Sequence, residues 1–371
     1  MDPFTKLPDN VLVRILSYLP DWRTRVRLEA VSRQFYRCCR NEQLWESSLQ
    51  LVMSNQLNSM QFGLNSSQAD LALWPTMLGA LLSRINQVTY MLLVLTDTEN
   101  SSEFYWALLT QLFNHASKIR LQSLSVVEMG NSGRELVSWL LVHSASTLRR
   151  AEFGFNVHET KLEQACFGFL TQAQHLNHLV CFRVKQTDQL SRAVRGKRIQ
   201  ELELCNIARQ AGPLAALCNG LEPRALRKLV IHACPVSINQ FCQKVQPEVL
   251  LRVSCLQLSH VPLEPVNAST LKPVTAVFPN LRNFKLESCD LSQSSAHMVL
   301  HMLLALLENT PKRPLRVQLE KMRTTEKKMR AFADTLALIT FGGDRIKLSF
   351  GPNDKDFRLL SHNVIIEVNF V

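Results

Sequence analysis

The sequence has no apolar core near its start and no long hydrophobic run. Its first ten residues read MDPFTKLPDN, so no secretory signal is expected, and its longest apolar stretch, residues 298–307, is far shorter than a bilayer span. The ten cysteines are therefore expected to be reduced thiols, and they form no Cys-x-x-Cys pair of the kind found in structural zinc sites. These features predict a cytoplasmic or nuclear protein that does not bind membranes.

The motifs of common enzyme classes are also missing. Glycine is scarce, with 12 residues, and the Gly-Lys at 196–197 lacks the rest of a phosphate loop. No His-Glu-x-x-His or Gly-x-Ser-x-Gly sequence occurs. Two histidine pairs have helical spacing, but neither belongs to a zinc motif, and surface histidines are the simpler interpretation; they are His175 with His178 and His297 with His301. We therefore expect no catalytic residues, no cofactor and no metal ion.

Size and composition predict a folded protein with more than one core. The chain has 371 residues, of which 46% are hydrophobic and 20% charged, an ordinary balance for globular proteins. The net charge is +11, with +2 in residues 1–50 and +9 in the remainder. An excess of positive charge favours acidic or phosphorylated partners, although a solvated basic surface explains it as well. Since no nucleic-acid-binding motif is present, no nucleic-acid partner is expected.

The first fifty residues predict three short helices. Pro8 suits a first helical turn and Pro20 ends the helix, while Asp21 and Ser32 can cap the two that follow. Apolar residues recur at helical spacing in the first helix, at Val11, Leu12, Ile15, Leu16 and Leu19. So small a module cannot bury all of its large apolar side chains, so we expect some of them to contact a partner protein.

The order and spacing of these residues resemble the F-box motif. Its elements appear as Leu7-Pro8, Ile15-Leu16-Ser17-Tyr18-Leu19-Pro20, Val31-Ser32-Arg33 and Leu44-Trp45, with Phe35 where the family commonly has tryptophan. The resemblance implies binding to a Skp-type adaptor, which connects to a cullin and a RING subunit. The adaptor contacts that it implies are Leu7, Pro8, Val11, Ile15, Leu16, Leu19, Val31, Leu44 and Trp45. The last three of these could instead support the module from behind.

The rest of the chain resembles leucine-rich repeats. Residues 51–87 are predicted to be a linker or an irregular first layer, and residues 88–371 a repeat domain. Full repeat signatures occupy 226–236 and 281–291, a variant occupies 253–263, and partial ones occupy 148–156 and 199–204. The predicted anchors are Leu124, Ala151, Phe182, Leu202, Leu229, Leu256, Phe284, Leu315, Ile346 and Ile366. Successive intervals of 27, 27 and 28 between residues 202 and 284 fall inside the ~20–29 residue period of these repeats.

Between the predicted strands, apolar residues recur at helical spacing. Strands and helices that alternate in this way predict an α/β solenoid with a parallel inner sheet. The alternative is an irregular α/β domain. Cys234 and Cys289 occupy the repeat position for a small buried side chain, and a structural role is predicted for both.

An F-box followed by leucine-rich repeats resembles the F-box leucine-rich-repeat family. The resemblance implies a non-catalytic subunit that holds a target for ubiquitination by a Skp-cullin-F-box ligase. Two alternatives stay open: a scaffold that binds the adaptor but acts outside ubiquitin ligation, and a repeat-type binding protein for an acidic ligand or nucleic acid.

Alternation along the predicted strands indicates which side chains would face a target. The basic residues become more frequent toward the C-terminal repeats, which favours an acidic or phosphorylated target. The candidate target-binding residues are Arg183, Lys185, Lys228, Lys285, Arg316, Arg345 and Lys347.

Overall fold

A computed structural model of the chain describes residues 7–19, 22–41, 50–54, 59–62, 65–68, 71–97, 101–155, 160–207, 211–234, 236, 238–261, 278–288, 315–322, 347–350, 356–361 and 364–370. The chain forms two compact units, Met1–Leu176 and Asn177–Val371. In both units, parallel strands alternate with helices, so the predicted α/β class with strand–helix repeats after a small helical module is confirmed. Within the described ranges, no helix is long and apolar enough to cross a membrane.

The first unit begins with a module of three helices, α1 (Asp9–Ser17), α2 (Trp22–Leu28) and α3 (Arg33–Cys39). The hydroxyl of Ser32 accepts a hydrogen bond from the backbone N–H of Phe35 at 3.2 Å, which confirms the predicted N-cap of α3. The guanidinium of Arg25 donates to the carbonyls of Ser17 and Leu19, at 3.0 and 2.8 Å, and so satisfies the free carbonyls at the end of α1.

A mixed sheet forms the rest of the first unit. Its strand order is β3-β2-β1-β4-β5-β6; β1, β4, β5 and β6 are parallel, and β2 and β3 form an antiparallel extension at β1. Helices α4 to α7 follow one another along the chain, and neighbouring helices pack together. The elements are β1 (Gln50–Ser54), β2 (Ser59–Phe62), β3 (Asn65–Gln68), α4 (Trp74–Leu82), β4 (Val88–Val94), α5 (Ser101–Asn114), β5 (Ile119–Met129), α6 (Arg134–His143), β6 (Arg150–Phe155) and α7 (Thr160–Leu170).

Residues 51–87 contain regular structure where the sequence predicted a linker or irregular layer. Strand β1 pairs in parallel with β4, and α4 buries Trp74, Leu78 and Leu81 completely. Polar composition in residues 53–70 suggested a linker, but backbone pairing does not need apolar side chains, and the apolar stripe of α4 lies just beyond that segment. The domain boundaries at residues 50 and 87 stay a prediction.

The second unit also contains one sheet, in the order β7-β8-β9-β10-β11-β12-β15-β14-β13. The strands from β7 to β12, together with β15, are parallel, while β14 and β13 add an antiparallel end. The elements are β7 (His178–Phe182), α8 (Thr187–Ala193), β8 (Glu201–Cys205), α9 (Ala211–Asn219), β9 (Lys228–His232), α10 (Ile238–Lys244), α11 (Pro247–Leu250), β10 (Cys255–Ser259), β11 (Asn283–Glu287), β12 (Leu315–Met322), β13 (Lys347–Phe350), β14 (Asp356–Ser361) and β15 (Val364–Phe370).

The strand register of the second unit corrects two of the predicted anchors. The buried row across the sheet consists of Leu179, Leu202, Leu229, Leu256, Phe284 and Val317. Phe182 therefore was the wrong anchor, because it pairs with Cys205 rather than Leu202, and Leu315 was wrong because Val317 pairs with Phe284. With Leu179 in place, the first four intervals become 23, 27, 27 and 28 residues. Ile346 lies outside the described residues.

A left-handed residue follows each of five successive strands in this unit. We call these positions the closing turns; they are Arg183, Asn206, Ala233, His260 and Ser288, with φ between 49° and 56°. Each donates its backbone N–H to a carbonyl of the next strand at 2.8–3.0 Å. In the first four turns the acceptor is the last residue of that strand, and for Ser288 it is Glu320 within β12. Left-handed backbone costs a residue with a side chain roughly 1–2 kcal/mol. The hydrogen bond offsets part of this cost at every repeat.

Candidate functional site

Helix α1 has two apolar faces. Leu12 and Leu16 are 0% and 1% exposed and form the core of the helical module together with Phe35 and Cys39. On the opposite face, Val11 is 40% exposed, Ile15 is 44% and Tyr18 is 75%. These three residues are spaced at i, i+4 and i+7, which aligns them along one side of the helix. We call Val11, Ile15 and Tyr18 the α1 stripe.

Among the described residues of the module, two further large apolar side chains are exposed. Val31, just before α3, is 59% exposed, and Tyr36 within α3 is 45% exposed. The guanidinium of Arg40 lies 4.4 Å from the centre of the Tyr36 ring, a cation–π contact that orients both side chains. The module therefore exposes apolar surface on more than one of its helices, as expected of a protein that binds a partner.

The nine predicted adaptor contacts differ in how far their side chains are exposed. Pro8, Val11, Ile15 and Val31 are exposed, and Leu7 and Leu19 are half-buried. The prediction that Leu16 contacts the adaptor was wrong, because its side chain is buried in the core of the module and presents no surface to a partner. Leu44 and Trp45 lie outside the described residues.

Two exposed aromatic residues, Tyr18 and Tyr36, were not among the predicted adaptor contacts. Tyr18 belongs to the Ile-Leu-x-x-Leu segment but was not counted as a contact, although it lies seven residues after Val11 on the same side of α1. Tyr36 lies next to the buried Phe35 in α3, and it is 45% exposed. Its spacing from Val11 and Ile15 would have identified Tyr18 as part of an exposed face of α1. No feature of the neighbouring sequence indicates that Tyr36 is exposed.

The cysteines of the module are structural. Cys38 and Cys39 are 2% and 0% exposed, and burial raises the pKa of the Cys39 thiol to about 11. A thiol that stays protonated at neutral pH is a poor nucleophile. Cys234 in the second unit is likewise fully buried, which confirms the prediction for it, whereas Cys289 lies outside the described residues.

In the second unit, the sheet has an open face, opposite the buried leucines. We use this name for the alternate strand residues that point away from the helices, such as Glu201 and Glu203 next to the buried Leu202 and Leu204. The face carries two lysines, Lys228 and Lys285, that the sequence predicted to be target-binding. The ammonium group of each lysine contacts two glutamates.

The lysines are held in ion pairs across neighbouring strands. The ammonium of Lys228 lies 2.7 Å from Glu203 and 3.7 Å from Glu201. Lys285 repeats the arrangement two strands further on, at 2.8 Å from Glu320 and 3.3 Å from Glu287. Each lysine contacts two carboxylates, so neither cluster of one lysine and two glutamates carries a net positive charge. The predicted basic face is therefore compensated at these two positions.

The other predicted target-binding residues occupy different places. Arg183 is a closing turn and Lys185 follows it, so both lie in the loop after β7 and not on the strand itself; the misplaced anchor at Phe182 caused this error. Arg316 is exposed in β12, and Lys347 begins β13. Arg345 lies outside the described residues.

Histidines add titratable groups to the open face. The rings of His232 and His260 meet edge to face with their centres 4.9 Å apart, and His178 lies near Glu201 and Glu203. Burial and the neighbouring His260 lower the pKa of His232. The face thus carries charges of both signs.

Residues 4–50 match the model of the F-box-like family, the same segment whose motif the sequence analysis identified. No curated protein shows significant similarity to the chain. For the remainder, the alternation of parallel strands and helices is compatible with leucine-rich repeats, but the family match does not extend beyond residue 50, and that assignment stays a prediction. Helices α1 to α3, with the α1 stripe on their surface, therefore form an F-box-like domain, a module for binding other proteins.

Proposed function

We propose that the chain is the target-recognition subunit of a Skp-cullin-F-box ubiquitin ligase. The observation that carries the proposal is the α1 stripe, exposed on a segment that matches the F-box-like family. The F-box-like domain would bind a Skp-type adaptor, and through it a cullin and a RING subunit. The strand–helix repeats would hold the target protein.

Helix-in-groove docking explains why the stripe is apolar. Side chains at i, i+4 and i+7 insert into an apolar groove of the partner, and the polar rest of the helix stays in water. Burying one large aliphatic or aromatic side chain contributes roughly 1.5–3 kcal/mol. Val11 and Ile15 are only 40% and 44% exposed in the free chain, so each would supply less than this value. Together with Tyr18 they would supply part of a micromolar affinity, which corresponds to about 8 kcal/mol.

The target would bind to the open face, and the chain would supply no reacting group of its own. Holding a lysine of the target close to activated ubiquitin raises its effective concentration, an effect worth up to about 7–11 kcal/mol for ideal geometry. An acidic or phosphorylated target is part of the proposal, and it would contact the exposed Arg183 and Lys185. Lys228 and Lys285 would contribute less, because glutamates already neutralise them.

The test is co-purification from cells of the full chain and a variant in which Val11 and Ile15 are both replaced by Asp. Both side chains are exposed, so the domain should fold, while two charges in the interface should abolish recovery of adaptor, cullin and RING subunit. Leu73→Asp is the matched control, since Leu73 is an exposed leucine outside the F-box-like domain. Recovery of the adaptor with the double variant would refute the proposed interface.

Two further outcomes separate the alternatives. If captured proteins become more abundant when cullin activity is blocked, ligation is supported; unchanged abundance and ubiquitination favour a scaffold. If the unmodified chain recovers no adaptor at all, the chain is a repeat-type binding protein, for which an acidic ligand or nucleic acid would then be sought.

A further inference from the structure

Three side chains with metal-binding groups converge on the open face at β7 and β8. The ring nitrogens of His178 lie 3.5 Å from a carboxylate oxygen of Glu201 (from Nδ1) and 3.5 Å from one of Glu203 (from Nε2). One donor atom from each residue lies within 4.8 Å of the other two. Donors bound to one tetrahedral ion at about 2.0–2.2 Å are about 3.5 Å apart. The two 3.5 Å distances involve different ring nitrogens, and one ion binds only one of them. The ring or the carboxylates must therefore rotate to close the remaining separation, which is at most 4.8 Å.

The imidazole has an unsatisfied nitrogen that points toward this cluster. The side chain of His178 is only 14% exposed, and its Nε2 is buried without a hydrogen-bond partner, since 3.5 Å to Glu203 is too long for a good hydrogen bond. A buried polar atom without a partner is costly, and a bound cation would remove that cost.

A cation already occupies part of the space. The ammonium of Lys228 contacts both Glu203 and Glu201, which shows that the two carboxylates attract positive charge to one point. The side chain of Lys228 is 33% exposed and can move toward solvent.

We propose that His178, Glu201 and Glu203 bind a divalent transition-metal ion, and that Lys228 competes with it for the two carboxylates. One imidazole and two carboxylates are ligands that suit zinc and its chemical relatives. Binding of the ion displaces Lys228 toward solvent. The lysine side chain thereby becomes available on the open face only when the metal is bound, and this inference does not depend on the proposed role in ubiquitin ligation.

The test uses the purified full chain, treated with a chelator and then titrated with Co²⁺, whose visible absorption reports protein ligands. Zn²⁺ affinity is measured by competition with a chromogenic chelator. Replacing Lys228 by Met removes the competing charge and should tighten binding at least roughly tenfold, since two like charges a few Å apart repel by several kcal/mol near a protein surface. His178→Ala and Glu203→Gln should each weaken binding by at least about tenfold.

Matched controls lie elsewhere in the same unit, His260 in a closing turn and Glu287 in β11. His260→Ala and Glu287→Gln remove a histidine and a carboxylate and should leave the affinity unchanged. Glu201 is 43% exposed, so Glu201→Gln should fold even if loss of His178 disturbs the sheet. If the Lys228→Met chain shows no cobalt band, or if adding His178→Ala or Glu201→Gln to it leaves that band unaltered, the proposed site is wrong.

Discussion

Glu29 and Arg84 form a two-point ion pair across 55 residues of sequence. Nε and Nη2 of Arg84 lie 2.6 and 2.8 Å from the two carboxylate oxygens of Glu29, and the side chains are only 11% and 9% exposed. Glu29 follows α2 of the F-box-like domain, and Arg84 follows α4. The pair therefore attaches the domain to the helical layer of the same unit, with Arg40 as a second partner of Glu29 at 3.6 Å.

Breaking this pair should destabilise the first unit. Arg84→Gln leaves the Glu29 carboxylate largely buried with a weaker partner, and we expect a loss of about 3 kcal/mol in the free energy of unfolding. Arg84→Lys keeps the charge but not the two-point geometry, so its loss should be smaller. Urea denaturation measures both. The matched control is Arg134→Gln, which breaks an exposed pair with Glu135 and should cost no more than about 1 kcal/mol. Equal losses for Arg84→Gln and Arg134→Gln would contradict the prediction.

The two faces of α1 should respond differently to substitution. Leu16→Ala removes a buried side chain and should lower the stability of the F-box-like domain by about 2–5 kcal/mol. Tyr18→Ala removes an exposed one and should change stability by less than about 0.5 kcal/mol, while weakening adaptor binding about tenfold. Thermal unfolding and calorimetric titration with the adaptor distinguish the two effects. An unchanged adaptor affinity in Tyr18→Ala would remove this residue from the interface.

Low pH should lower the free energy of unfolding of the second unit by protonating Glu203. His178 and Lys228 hold the pKa of this carboxyl at about 2, below its ordinary 4.5, so its contribution to stability is complete above pH 4.5 and is lost as the pH falls toward 2. Glu203→Gln should therefore cost roughly 1–2 kcal/mol at neutral pH and progressively less below pH 4.5. Denaturation in the presence of a chelator, over a series of pH values, measures this difference. Glu248→Gln, at an exposed position, is the control with little effect throughout, and a difference independent of pH for Glu203→Gln would disprove the assignment.

Glycine should be tolerated at a closing turn and not in a helix. Ala233 has φ 49°, where a Cβ costs roughly 1–2 kcal/mol, while glycine adds about 0.5–1 kcal/mol of unfolded-state entropy. Ala233→Gly should therefore leave the free energy of unfolding unchanged or raise it by up to about 1 kcal/mol. Ala216→Gly, at an exposed position of α9, should lower it by about 1 kcal/mol. If both variants lose the same stability in urea denaturation, the left-handed geometry is not the deciding factor.

The helices of the F-box-like domain were predictable because their signals are local. Pro8, Ser32 and the apolar spacing of α1 act within a few residues, and α1 and the Ser32 cap are found as expected. The exposure of Tyr36 and the burial of Leu16 were not predictable in this way. Both depend on how the three helices pack, which spacing along one helix does not specify.

The period of the repeats was predictable from the sequence. Which residue of a strand is the buried anchor was not predictable where several apolar residues follow one another. In β7, Leu179, Val180, Cys181 and Phe182 could each serve as an anchor, and only pairing with Leu202 decides in favour of Leu179. Alternation correctly places Lys228 and Lys285 on the open face. The nearest glutamate partner of each lysine comes from a neighbouring strand, about one repeat away in sequence, so the sequence did not reveal that these charges are compensated.

The closing turns make the order of repeats in the second unit directional. The backbone amide of Arg183 donates to the carbonyl of Cys205, that of Asn206 to His232, and that of Ala233 to Ser259. A turn is thus completed by the strand that comes after it in the chain. During synthesis from the N-terminus, the most recently made repeat stays unfinished until its successor emerges, so growth of the sheet is coupled to the direction of translation. Removing whole repeats from the far end would expose one strand edge and one closing-turn amide, whatever the number removed, so arrays of this design can change length at nearly constant cost.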